Sequence, residues 1–311
     1  MRDVTEAYRL SPQQARVWEL RQAPRERGAY LAQCLARLEG ALDAGALDAA
    51  LRQVVERQEI LRTTFGRTHG LSLPFQLIQD AGAPDFRRGE LDGLPPAERE
   101  AALGQLCGEE LRAPFDFERG PLLRALLVRL AAEEHALILT LPSLCADTWT
   151  LQNLVRELAQ AYDASLGGER LTDEPLRYVQ YSEWQNGLLE EDEEAEAGRE
   201  FWRKQSQAAA PDARLPFEKI PEGDEPFVPT IFFSELGPEA VARVGETARK
   251  YRTTAEVVLL GCFHLLLHRL TSAPQTVASV SSDGRHFDEL RGALGPLARS
   301  LPVAARHAAR T

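Results

Sequence analysis

The sequence predicts an α/β fold on three observations. Leu137-Ile-Leu-Thr-Leu141 is an unbroken apolar run, the pattern of a strand covered on both faces. Leu42 to Gln58 places Leu47, Leu51, Val54 and Val55 at i, i+4, i+7 and i+8, one face of a helix. Strand-like and helical segments of these two kinds alternate along the chain.

Taken in order, Ser11-Pro12 reads as a helix start, with serine as cap and proline at the first helical position. Tyr30 to Leu38 is expected as a strand. After the helix over 42–58, the β-branched and aromatic residues up to Phe65 signal a change to strand, and Leu73 to Ile78 gives another. Pro95 to Arg112 is helical by composition, closed by Pro114. Leu122 to Leu130 and the run from His135 form an antiparallel hairpin about Glu133-Glu134. Pro142 ends that second strand, because it cannot donate a ladder hydrogen bond. Thr148 or Thr150 then caps a helix carrying Leu151, Leu154, Val155, Leu158 and Tyr162.

Tyr178 to Leu189 is helical, and the acidic run Glu190 to Glu196 reads as a solvated continuation reaching Phe201-Trp202. Pro216, Pro221, Pro226 and Pro229 make 205–230 a linker between an N-terminal lobe, 1–204, and a partial second lobe, 231–311. In that second part Ile231 to Leu236 is a strand and Gly237-Pro238 opens a helix to Tyr251. Thr253-x-x-Glu256 is a capping-box pattern ahead of the helix Val257 to Leu270, and Gln275 to Ser282 is a strand.

Composition narrows the function classes. The net charge of −11 over 311 residues opposes a nucleic-acid or anionic-membrane surface. Cys34, Cys107, Cys145 and Cys262 form no CxxC pair, so neither a disulfide framework nor a zinc site is indicated. The first residues lack an apolar signal core, and a cytoplasmic location is expected. His264-x-x-x-His268 has metal-ligand spacing, with Glu256 two turns earlier. On a helix apolar nearly all round it reads instead as packed or hydrogen-bonded, and no metal is expected.

Four motifs follow one another along the chain: Leu10-Ser-Pro-Gln-Gln-Ala-Arg-Val-Trp18, Arg57-Gln-Glu-Ile-Leu-Arg-Thr-Thr-Phe65, Tyr178-Val-Gln-Tyr-Ser-Glu-Trp-Gln185 and Leu294-Gly-Pro-Leu-Ala-Arg-Ser-Leu-Pro302. In that order they resemble the condensation-domain superfamily of nonribosomal peptide synthetases. The resemblance implies two chloramphenicol-acetyltransferase-like α/β lobes in a V, with a tunnel between them. Carrier proteins of the same or adjacent synthetase modules would bring thioesters to that tunnel on phosphopantetheine, with no cofactor bound directly. The later family motifs are missing, so the second lobe is expected to be incomplete.

The family's His-His-x-x-x-Asp-Gly signature falls on Pro142-Ser-Leu-Cys-Ala-Asp-Thr148, where both histidines and the glycine are replaced. The resemblance implies that Asp147 is structural and pairs with Arg62, and the survival of both implies a scaffold kept without its chemistry. Ser143 stands where the histidine that assists amine attack is expected, and a serine hydroxyl is a poor base near neutrality. Cys145 is either a nucleophile or, more simply, a small buried hydrophobe. Trp149, Ser143, Cys145 and Arg285 are candidates for lining the tunnel, while Trp184 and Trp202 read as core or interface.

Two functions stay open. One is a non-condensing platform that holds a carrier-bound substrate or recruits a tailoring enzyme such as a hydroxylase. The other is a divergent enzyme forming an amide or ester bond by positioning and by backbone amides near 143–148.

Overall fold

The computed structural model describes residues 7–22, 30–66, 70, 72–191, 193–207, 214–219 and 234–307. The elements are β1 (Ala7–Tyr8), α1 (Pro12–Gln22), β2 (Leu31–Glu39), α2 (Ala44–Arg57), β3 (Thr63–Gly66), β4 (Phe75–Ile78), β5 (Asp85–Glu90), α3 (Pro96–Arg112), β6 (Arg124–Ala131) and β7 (Glu134–Pro142). They continue as α4 (Thr148–Leu166), α5 (Tyr178–Glu191), α6 (Glu193–Gln207), α7 (Pro238–Tyr251), α8 (Ala255–Thr271), β8 (Gln275–Ser282) and β9 (Arg299–Arg306).

The main sheet runs β2-β7-β6-β5, with β7 paired along its length to β2 and, in a hairpin, to β6. Both pairings are antiparallel, whereas β5 lies parallel to β6, with α3 supplying the crossover that a parallel pair requires. The unbroken apolar run in β7 now has its cause. Leu137, Leu139 and Leu141 point into the larger core with α2 and α4, while Ala136 and Ile138 join Leu103 of α3 on the opposite face. A second sheet, β1-β4-β3, is antiparallel, and β8 pairs with β9.

Local chemistry sets the boundaries. Asp43 caps α2, accepting from Gly45 N at 2.7 Å and Ala46 N at 3.0 Å. The cap of α4 is Asp147 rather than Thr148 or Thr150, because its carboxylate already lies 2.7 Å from Thr150 N. Thr254, one residue after the expected Thr253, caps α8 through Val257 N. β5 has no signal in the sequence, since Asp85-Phe-Arg-Arg-Gly-Glu90 is a charged edge strand without apolar alternation. Of the strand expected over Ile231 to Leu236, residues 234–236 are not in a strand and the rest lies outside the described residues, as does most of the linker.

The chain divides into two compact units. One comprises Met1–Glu191 with Asp283–Arg299, the other Asp192–Ser282 with Ser300–Thr311. The segment Asp283–Arg299, grouped by the sequence with residues after 231, thus packs with the first unit. No single helix among the described residues is long and apolar enough to cross a membrane.

Leu139 is fully buried on the central strand, so Leu139→Ala leaves a cavity in the larger core. Urea denaturation followed by circular dichroism is expected to show a loss of about 2–5 kcal/mol in the transition of the first unit.

Candidate functional site

The loop after β7 is held rigidly. The Pro142 carbonyl accepts from Cys145 N at 2.8 Å and Ala146 N at 3.2 Å, and Ser143 N donates to Tyr30 O at 2.8 Å. Gln14 Nε2, from α1, donates to Leu144 O at 2.9 Å and to Gln76 Oε1 at the same distance. Pro142, Leu144, Cys145 and Ala146 are buried, which leaves Ser143 as the half-buried residue of the turn.

Asp147 is the anchor. Arg285 Nη1 donates to its Oδ2 at 3.0 Å and Arg285 Nη2 to its Oδ1 at 3.2 Å. Oδ2 also accepts from Leu297 N at 3.0 Å and Ala298 N at 2.8 Å, while Oδ1 accepts from Thr150 N at 2.7 Å. A carboxyl group that accepts from this many donors is fixed in place, and its partners are held with it. Arg285 further donates to the carbonyls of Asp283 and Ala293 at 2.9 and 3.1 Å, and its side chain is 3% exposed.

This arrangement corrects two expectations. Arg62 does not pair with Asp147. It sits in the short 3₁₀ turn after α2, where its guanidinium meets Glu59 at 3.6 Å and the Gln79 carbonyl. Arg285 is buried, with both terminal guanidinium nitrogens bound by protein groups, so it serves as a structural anchor rather than as a residue open to a ligand. The turn that delivers it needs Gly284, at φ +69°, because a Cβ there would stand 2.0 Å from Leu297 O.

Motifs that lie far apart in the sequence meet around this pair. Thr150 Oγ1 lies 2.6 Å from Gly295 O and 2.7 Å from Asp147 Oδ1. Tyr178 donates to Pro296 O at 3.2 Å and shares a 2.7 Å hydrogen bond with Ser11 Oγ. Gly295, at φ +126°, lets the Tyr178 ring approach so closely that a Cβ would be 2.0 Å from its Cδ2. The sequence pattern alone does not mark Thr150, Gln14 or Tyr178 as site residues, although Gln14 and Tyr178 lie within the family-like motifs.

The candidate nucleophiles fare differently. Cys145 is fully buried, and burial pushes its thiol far above the ordinary range, so the small-hydrophobe reading holds. Trp149 is half-buried in the first turn of α4. His135 faces Leu38 and Arg129 at the other end of β7, about 25 Å of strand from Ser143 at ~3.3 Å per residue. Among the described residues no group of three His, Cys, Asp or Glu side chains is placed to hold a metal ion.

Two outcomes check this geometry. Arg285→Ala strands the Asp147 charge and is expected to cost the first unit about 3–5 kcal/mol in urea denaturation, with Arg62→Ala costing clearly less. Iodoacetamide at pH 8 is expected to label the exposed Cys262 in the native protein and to spare Cys145 until it is unfolded, as peptide mass spectrometry will show.

Known proteins now bear on the chain. A family model described as Condensation domain matches residues 4–311. One of the linear gramicidin synthase proteins of Brevibacillus parabrevis is 32% identical over 94% of this chain and 4% of its own length. Phosphinothricin tripeptide synthetase PhsB of Streptomyces viridochromogenes is 30% identical over 97% of this chain and 25% of its own. The chain therefore spans only a small part of these relatives. Among solved structures, the condensation domain of the monacolin K polyketide synthase MokA superposes with a TM-score of 0.82 at 21% identity, covering 98% of this chain and 69% of that one. The X-domain in complex with OxyB from teicoplanin biosynthesis superposes at 0.79 with 26% identity, covering 98% and 66%. On the match of the family model across nearly its whole length, the chain belongs to the condensation domain family of nonribosomal peptide synthetases.

Proposed function

We propose that this domain is a non-condensing platform: it holds a carrier-protein-bound substrate or recruits a tailoring enzyme such as a hydroxylase. The observation that carries the reading is Ser143, a residue that cannot act as a base near neutrality, half-buried at the turn of a loop that keeps only Asp147 of the family signature. The teicoplanin X-domain, solved with OxyB, supports the recruiting role. Phosphopantetheine would reach the domain on partner carrier proteins, with no cofactor held by the domain itself.

The competing reading, bond formation without a histidine, needs positioned donors for a developing oxyanion. The amides of Ser143, Cys145 and Ala146 already donate to Tyr30 O and Pro142 O. That engagement disfavours the enzyme. Losing a positioned base also removes about 10²- to 10⁴-fold in rate.

The test offers loaded donor and acceptor carrier proteins to the intact module and follows product by mass spectrometry, with wild type and Ser143→Ala in parallel. No condensation product from either protein, together with measurable binding of a carrier protein or hydroxylase, is the expected result. Product from wild type that disappears in Ser143→Ala overturns the platform reading.

A further inference from the structure

The second unit holds three imidazoles that the site above does not use. His264, on α8, is 4% exposed, and its Nδ1 lies 2.8 Å from Thr276 Oγ1 at the start of β8. The same hydroxyl lies 2.9 Å from Nε2 of His307, the residue that follows β9. The His307 ring stacks on His268, with centroids 4.3 Å apart and planes 14° from parallel. His268 Nδ1 is 2.7 Å from Ala273 O, and His307 N donates to Pro274 O at 2.9 Å.

Proton counting defines the resting state. A carbonyl only accepts, so His268 carries its proton on Nδ1 and, when neutral, leaves Nε2 as a lone pair. Thr276 owns one hydroxyl proton, so one of His264 Nδ1 and His307 Nε2 donates to it and the other accepts from it. All three rings can therefore be neutral with these contacts satisfied. His264 Nε2 is buried without a hydrogen-bond partner.

Among the described residues that line the cavity beside these rings, none supplies a counter-charge for a second proton. The cavity beside His264 and His307 is lined by Thr247, Tyr251, Cys262 and Arg306 among its polar groups, with no carboxylate. Arg269 adds positive charge in the last turn of α8. Of the other charged groups on these elements, Glu256 lies in the first turn of α8, about 18 Å from His268 at ~1.5 Å per residue. Glu239, Arg243, Glu246, Arg249 and Lys250 belong to α7, and β8 carries no charged residue. A positive charge on either of the stacked rings of His268 and His307 would oppose one on the other.

We propose that His264, His268 and His307, joined through Thr276, are a proton-sensitive clasp that fastens the end of β9 to α8 and β8 and releases it when a second ring becomes cationic. Burial and the two neighbouring rings hold the His307 imidazole below its ordinary value. The sign follows: a histidine kept neutral in the fold stabilises it above the free imidazole value of about 6.5, and that contribution is lost as pH falls through the lowered value.

Imidazole titration by NMR and amide hydrogen exchange of the full chain test this. His307 is expected to titrate below ~6.5 in wild type and to move up in His268→Gln. Exchange of α8 and β8 amides, corrected for intrinsic rates, is expected to rise about tenfold between pH 7.5 and pH 5 in wild type and clearly less in the variant. An ordinary His307 titration unaffected by His268→Gln, or corrected exchange that ignores pH, overturns the clasp. Should His268→Gln fail to fold, His307→Gln takes its place. Its α8 exchange is then expected to lose the acid acceleration, and retention of that acceleration overturns the proposal.

Discussion

One buried ion pair organises the first unit: Asp147 against Arg285, 138 positions apart in the chain. The carboxylate caps α4, receives the guanidinium and takes the amides of Leu297 and Ala298. Three segments distant in sequence are thereby fixed to one pair of oxygen atoms. Removing either partner leaves the other desolvated and unpaired, the situation in which buried charges are most destabilising. The pair is consequently better understood as a determinant of which loops meet than as a source of net stability.

Much of this is legible in the sequence. β7 is readable because coverage on both faces leaves its apolar run unbroken, and α2 because its one buried face repeats at helical spacing. β5 is not, since an edge strand gains its register from backbone pairing with β6 and its charged side chains need no alternation. The site is half legible. Asp147 reads as structural, but the family pattern points to Arg62 as its partner, which is wrong in this fold. Arg285 and Arg62 are both arginines beside an acidic or carbonyl-rich loop. Which one reaches Asp147 depends on the Gly284 turn and on the packing of Gly295 against Tyr178, and neither is a pattern along the chain.

The missing contact between Arg62 and Asp147 does not mean a lost scaffold. The scaffold is retained because Asp147 is more completely bound than a single arginine partner would require. Arg62 instead meets Glu59 within the turn after α2 and ties that turn to the Gln79 carbonyl, next to β3 and the buried Phe65. Two residues can therefore both be kept in a family pattern without touching each other.

The same saturation that steadies the loop also limits what it can do. Stabilising a developing negative charge takes donors that are oriented and unoccupied. Here Ser143 N is spent on Tyr30, Cys145 N and Ala146 N on Pro142, and Thr150 N on Asp147. Cys145, the best intrinsic nucleophile, is sealed in the core, where its thiol resists ionisation. The loop's polar groups are turned inward to hold a shape, with Ser143 left half-buried at its turn. A loop of fixed shape is suited to presenting or receiving a partner, and this physical property links the buried pair at Asp147 to the platform role we propose.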